Sequence, residues 1–279
     1  MILVGPPRLT FKKPVVLRFG HCANLKLGSW ELGVYHCDSL YFAPANADPN
    51  DDAPWVKLAT IGQESESNGP ILAHMDFGSC CIMTDFLSRF CIVGQSGVDG
   101  IGACKVLRLM VFAKLSSSSD LNVSLVVVDD TKAAVEKATR LAEKAGFGLA
   151  DKPKSLYFHD GGDDMVVSAG ECSTGWSLNP RSQQVLDFDQ IWSMGNSNLR
   201  ANYKLRHVDP TVETVAFNIS VFQPSRLDSR QAFTVSLDSR LRQGFRTNGS
   251  SGNRSVIIVK FDELDDQFVQ ISGPKQIHP

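Results

Sequence analysis

One segment of this 279-residue chain carries a clear helical period, and it follows directly on its two strongest strands. Residues 105–112 and 121–128 are strand candidates joined by the serine-rich turn 116–120, and the second alternates before it becomes wholly apolar. Beyond them Val135, Ala138, Leu141, Ala142 and Ala145 recur at helical spacing. Asp129 and Asp130 are read as the N-cap and acidic first-turn charge, and Gly146 as the C-cap, which sets a helix over about 130–145. A helix with a single apolar stripe must lie on the surface of something else, here the sheet made by the strands just before it. The rest of the chain reads as short strands and turns, so the fold is mainly β.

Composition bounds the class. Residues are 43% hydrophobic and 21% charged, with formal net charge −2 and pI near 6.3, which is globular composition. There is no basic excess pointing to nucleic acid and no acidic excess pointing to a disordered tail. No run approaches the roughly 20 apolar residues that cross a bilayer. The apolar start 1–7 is too short for a secretory leader and runs into Pro6 and Pro7. The seven cysteines, Cys22, Cys37, Cys80, Cys81, Cys91, Cys104 and Cys172, are odd in number and fit reduced thiols rather than a disulfide framework. Four Asn-X-Ser sequons, at Asn122, Asn218, Asn248 and Asn253, are read as chance matches.

In the first third, strands are expected at 9–11, 15–19, 30–35, 55–58, 81–84 and 90–93, with a helical turn at 85–88 and proline-rich loop composition at 43–54. The glycine-rich stretch 94–102 marks the first boundary. After the helix, strands are expected at 155–158, 165–168, 199–205, 214–222 and 232–237. Linker composition at 247–253 separates a last strand, 255–261, from the acidic stretch 262–266. Limited proteolysis is expected to cut first near 43–54 and 247–254.

No constellation of residues carries catalysis. His21-Cys22, His36-Cys37 and Cys80-Cys81 look like metal ligands, but neighbours on a strand point to opposite faces and metal-site spacing is absent. Ser96, in Gly94-Gln95-Ser96-Gly97-Val98, lacks the last glycine of a nucleophile elbow and the helix that follows one. The glycines 97–102 run against the order of a dinucleotide fingerprint. Asp160, Asp163 and Asp164 beside Gly161-Gly162 do not alternate as calcium ligands and are read as a hairpin turn. Trp30, Trp55, Trp176 and Trp192 are read as core anchors. Lys12, Lys13 and Arg18 are read as a solvated strand face. Asp262-Glu263-Leu264-Asp265 has the form of a caspase recognition tetrapeptide, with cleavage after Asp265. No cofactor and no metal are expected, and the residues alone point to a binding or scaffolding module.

Residues 9–23, Leu-Thr-Phe-Lys-Lys-Pro-Val-Val-Leu-Arg-Phe-Gly-His-Cys-Ala, resemble central strands of a ZU-5 domain, most closely in the form found in the Uncoordinated-5 netrin receptors. The stretch from Cys81 through Thr84, Leu87 and Phe90 to Gln95 resembles the end of that domain. Residues 122–131, the helix, residues 152–160, Ile191-Trp192-Ser193 and Asn196-Ser197-Asn198-Leu199 resemble the UPA domain that follows it. The resemblance spans about 5–240 and implies two tandem β-sandwich-like domains, a partial ZU-5 at 1–97 and a UPA at 98–240, with a flexible tail at 241–279. It also implies a non-enzymatic cytoplasmic module of a single-pass netrin receptor, acting in axon guidance, repulsion and dependence-receptor apoptosis. The implied partners are contact between the two domains, cytoplasmic signalling proteins, and netrin through an ectodomain this sequence lacks. The opening strands of ZU-5 and the family's death domain are not found, so a fragment or truncated product is expected. The tripeptide at which some related ZU-5 domains cleave themselves is absent, so no autoproteolysis is expected. An ankyrin- or ZO-like cytoskeletal scaffold is the alternative on the same fold, and an esterase or metal enzyme the third.

Overall fold

A computed structural model of the chain describes residues 2–3, 10–27, 29–37, 55–63, 72–86, 88–98, 101–116, 120–161, 163–179, 182–193 and 199–238. Seventeen strands and two helices occur among them. The first block holds β1 (Ile2–Leu3), β2 (Thr10–Gly20), β3 (Trp30–Cys37), β4 (Val56–Thr60), β5 (Leu72–Met75), β6 (Ser79–Phe86) and β7 (Arg89–Ser96). The second holds β8 (Cys104–Leu115), β9 (Leu121–Asp129), α1 (Lys132–Lys144), β10 (Gly148–Leu149), β11 (Lys154–His159), β12 (Met165–Cys172), β13 (Trp176–Asn179), β14 (Gln183–Leu186), α2 (Phe188–Trp192), β15 (Leu199–His207), β16 (Thr214–Gln223) and β17 (Arg226–Asp238).

Each block is a pair of antiparallel sheets. In the first, the sheet β1-β7-β3-β4 faces the sheet β2-β6-β5. Alternate residues point inward, and Val34, Cys80, Ile82 and Phe90 close a core between the two sheets. In the second, β10-β8-β9-β15-β13, with β11 also on β8, faces β14-β12-β16-β17. Leu109, Val111, Leu125, Val127, Phe217 and Val235 are among the side chains of that larger core.

The helix supplies a third layer. Odd-numbered residues of β8 and β9 enter the inter-sheet core, while Met110, Phe112, Val126 and Val128 turn outward under Ala138 and Ala142 of α1. That double burial is why 109–113 and 125–128 read as unbroken apolar runs: both faces are covered. Small alanines let α1 lie close on the sheet. Leu141, one of the expected face residues, is 42% exposed instead.

The caps of α1 differ from the expectation at one end. Thr131 is the N-cap, its side chain accepting from Ala134 N at 3.3 Å. Asp129 and Asp130 are engaged elsewhere, with Lys105 at 3.0 Å and Arg108 at 2.9 Å. At the other end Ala145 is the C-cap and Gly146 follows at φ +79. Gly146 N donates to Glu143 O and Phe147 N to Ala142 O, the paired bonds of a Schellman turn that needs a left-handed residue.

Other expectations are corrected by which sheet each strand joins. Asp85 and Phe86, expected to open a helical turn, belong to β6 instead, and β6 and β7 lie in different sheets of the first block. Gly94 lies inside β7 rather than in a boundary loop. β11 and β12, the strands flanking the acidic run, lie in opposite sheets and do not form the expected hairpin. Trp55 is 41% exposed and anchors no core. Strands β1, β5, β10, β13 and β14 and helix α2 are not among the expected elements. The segments 43–54 and 247–261, the acidic stretch 262–266 and Asp265 lie outside the described residues.

Thr131→Ala removes the N-cap acceptor and is expected to cost about 1 kcal/mol in a urea titration. No loss on that substitution places the cap elsewhere.

Candidate interaction site

The residues singled out as metal or nucleophile candidates are structural in their surroundings. His21 Nε2 is 2.7 Å from Asp76 O, and the His36 ring packs edge-on against Phe86. Cys37 and Cys80 are buried, and Cys81 points away from Cys80 on β6. No group of three or more His, Cys, Asp or Glu converges on a metal position among the described residues. Ser96 Oγ donates to the Asp160 carboxylate and accepts from Ala103 N at 2.8 Å, which ties the end of β7 to the second block. The acidic run next to it is distributed. Asp163 accepts from Ser225 N at 3.1 Å, and Asp164 accepts from Phe188 N at 2.8 Å. Lys12, Lys13 and Arg18 are exposed, Arg18 reaching Ser79 Oγ at 3.0 Å.

What the fold brings together is a seam between the blocks. β9 pairs with β8 only as far as Leu107 opposite Asp129, while β11 continues along the other edge to Cys104. The edge of β8 that β9 vacates is filled by 22–24. Val106 N donates to Cys22 O at 2.6 Å, Asn24 N donates to Cys104 O at 2.8 Å, and Ala23 stands opposite Lys105. A strand-like fragment of the first block thereby completes a sheet of the second.

Lys105 anchors the same place. Its Nζ lies 3.0 Å from Asp129 Oδ1, an ion pair rather than an aligned hydrogen bond. It donates to the carbonyls of Ile191 at 3.2 Å and Trp192 at 3.1 Å, the exposed carbonyl end of α2. The side chain is 8% exposed, so all three acceptors are needed to hold the charge there. Cys22 lies against this pair. Burial pushes its thiol up to about 12, the Lys105 ammonium opposing and Asp129 adding to the rise.

Aromatic rings carry the seam further. Trp30 of β3 stacks on Trp192 of α2 at 5.6 Å and 4°. Trp192 stacks on Phe188 at 5.6 Å, and Phe188 on Phe158 at 5.5 Å. The column runs from one core to the other, and such a pair is worth about 0.5–1.5 kcal/mol beyond burial. Gly94 permits it: a Cβ there would sit 2.6 Å from Leu32 and 2.9 Å from the Trp30 ring. Trp30 and Trp192 are both legible in the sequence as anchors, but their pairing is not, because stacking between distant residues leaves no local pattern.

Residues 103–240 match the family model of the UPA domain, and residues 1–38 match that of the ZU5 domain. Over 225 residues, 80% of this chain, the sequence is 23% identical to the netrin receptor UNC5D of Rattus norvegicus, and to the same degree to that of Mus musculus. The chain is an Uncoordinated-5-family ZU5–UPA region. It spans 22% of the length of each of those relatives.

The ZU5 match covers β1–β3, and therefore both Trp30 and the 22–24 fragment. The UPA match covers β8 and α2, and therefore Lys105 and Trp192. The seam thus joins ZU5-matched to UPA-matched residues. The descriptions of the two matched domains and of these relatives name no catalytic activity. Among the described residues no helix is long and apolar enough to cross a membrane.

Lys105→Met leaves the Asp129 carboxylate and two carbonyls without their cation, and is expected to lower stability by about 3–5 kcal/mol in chemical denaturation. A loss under about 1 kcal/mol contradicts the buried arrangement. Alkali should act on the same chain through its thiols. Burial raises Cys22 and Cys80 to about 12, Cys104 to about 11 and the Tyr203 hydroxyl to about 12. These groups hold their protons more tightly folded than unfolded, so the stability they add is full below pH 9 and is lost as pH rises toward 12. Midpoints of urea unfolding measured across that range are expected to fall steadily; a flat profile rules out the burial described.

Proposed function

We propose that this chain is a non-catalytic signalling and interaction module from the cytoplasmic side of a single-pass netrin receptor, acting in axon repulsion and dependence-receptor apoptosis. Its parts are a ZU-5 domain within 1–97, a UPA domain within 98–240 and a tail from 241 to 279, with Asp265 a protease-cleavage position in that tail. The observation that carries the reading is the seam together with the likeness to UNC5D, which runs over 80% of the chain. A module that works by contact needs its two domains held at a fixed angle, and main-chain bonds plus a ring stack do that without any catalytic group. Netrin would be met by an ectodomain elsewhere in the whole receptor. Cytoplasmic signalling proteins would meet the surfaces of this region.

An ankyrin- or ZO-like scaffold shares the fold class, while both relatives named above are netrin receptors. The two readings separate in a chimera in which this chain replaces the corresponding part of UNC5D. Netrin-dependent growth-cone collapse by the surface-expressed chimera is the expected outcome. A chimera that reaches the surface but stays silent, with the free chain sedimenting with cortical cytoskeleton, favours the scaffold instead.

A further inference from the structure

The end of the first sandwich nearest the seam presents apolar side chains on separate loop tips. Phe77, in the turn between β5 and β6, is 67% exposed, and Leu27, in the loop before β3, is 48% exposed. Both loops are stiffened by a side chain of their own. Asn24 Oδ1 accepts from Lys26 N at 2.9 Å and Leu27 N at 3.0 Å, and Asp76 Oδ1 accepts from Gly78 N at 3.0 Å and Ser79 N at 2.7 Å. Lys26 Nζ lies 4.3 Å from the centre of the Phe77 ring, so the two tips touch. Gly97 N donates to Ser29 O at 3.0 Å, which sets Val98, fully exposed, at the same end. Asp99, beside Val98, lies outside the described residues.

Two lysines near these tips stand outside any ion pair among the described residues. Asp76 is occupied by the hydrogen bonds of Gly78 and Ser79 and faces Arg18 at 3.7 Å. Asp129 and Asp130 are paired with Lys105 and Arg108, and Asp160 is taken by Ser96. Lys26 has no acidic partner among the described residues, nor does Lys132, which opens α1 without an acidic residue in its first turn. The helix start adjoins the Phe77 turn: a Cβ on Gly20 would lie 3.7 Å from both Gly78 O and Thr131 Cβ.

Three apolar side chains standing singly on separate tips form no groove for a helix or strand. They fit a planar boundary that is apolar beneath and negative at its surface. We propose that Phe77, Leu27 and Val98, with Lys26 and Lys132 beside them, dock this chain on an anionic lipid surface. The idea rests on the receptor reading only for placing an inner leaflet within reach. A silent chimera would leave the vesicle result standing, and the reverse holds too.

Flotation of the purified chain with phosphatidylcholine vesicles holding about 30 mol% phosphatidylserine, against phosphatidylcholine alone, tests it. The chain is expected to float with the anionic vesicles, to stay behind with the neutral ones, and to be released by salt. Phe77→Ser is expected to cut binding about tenfold and Lys26→Glu about fivefold, each variant melting like its parent because both positions are at the surface. Flotation with neither vesicle, equal flotation with both, or a Phe77→Ser protein that floats like its parent overturns the proposal.

Discussion

β9 parts from β8 at Asp129, and the main-chain groups of β8 beyond that point need partners from somewhere else. A buried N–H or carbonyl without a partner costs about as much as a lost hydrogen bond, so the gap has to be filled. Cys22 and Asn24 fill it from the first block, and the rest of the seam follows. With Ala23 opposite Lys105, the lysine side chain reaches Asp129 and the end of α2. With α2 fixed, the Trp192 ring lies flat against Trp30. The two sandwiches share one sheet edge, one ring stack and the Ser96–Asp160 hydrogen bond, and the buried Lys105 charge, held by groups of the second block, stands beside that edge.

Elsewhere the second sandwich closes its strand edges with side chains. Gln184 pairs its amide with both main-chain groups of Asn202, at 2.7 and 3.2 Å. Gln223, fully buried, does the same for His159 at 2.8 and 3.0 Å. On β17, Asp151 accepts from Thr234 N at 3.0 Å, and Lys154 donates to Ala232 O. Each of these mimics a neighbouring strand and denies that stretch to another chain. The 104–106 edge of β8 is the contrasting case, where real backbone from the other block does the work. That contrast explains why the seam, rather than an open sheet edge, is the organising feature of the molecule.

The parts legible in the sequence are those whose physics is local. Period two in 121–128 and period 3.6 from Val135 to Ala145 each express burial of a face, and both elements formed where they were expected. The alternation at Trp30 and the apolar run at 15–19 likewise marked strands. The failures are non-local. Asp129 and Asp130 have the chemistry of a helix cap, but Lys105 and Arg108 on the neighbouring strand claim them, and Thr131 takes the role. Asp160 to Asp164 look like a turn between paired strands, yet their flanking strands join different sheets. Gln223 ends an apolar alternation as a buried polar residue, a signal that it closes an edge, though the residue it serves is in β11. The family resemblance reached what periodicity did not, because Trp192 and the residues around Cys22 belong to patterns that mark the two domains.

The 22–24 fragment belongs to the sheet of the second block. Residue-resolved hydrogen exchange tests it at two amides, Val106 and Asn24, whose only described acceptors lie across the seam. Both are expected to exchange as slowly as the core amides of Leu109 and Val111 of β8. Exchange of Val106 and Asn24 at the rate of the exposed turn at Phe77, with Leu109 still protected, would show that the two sandwiches are not joined there.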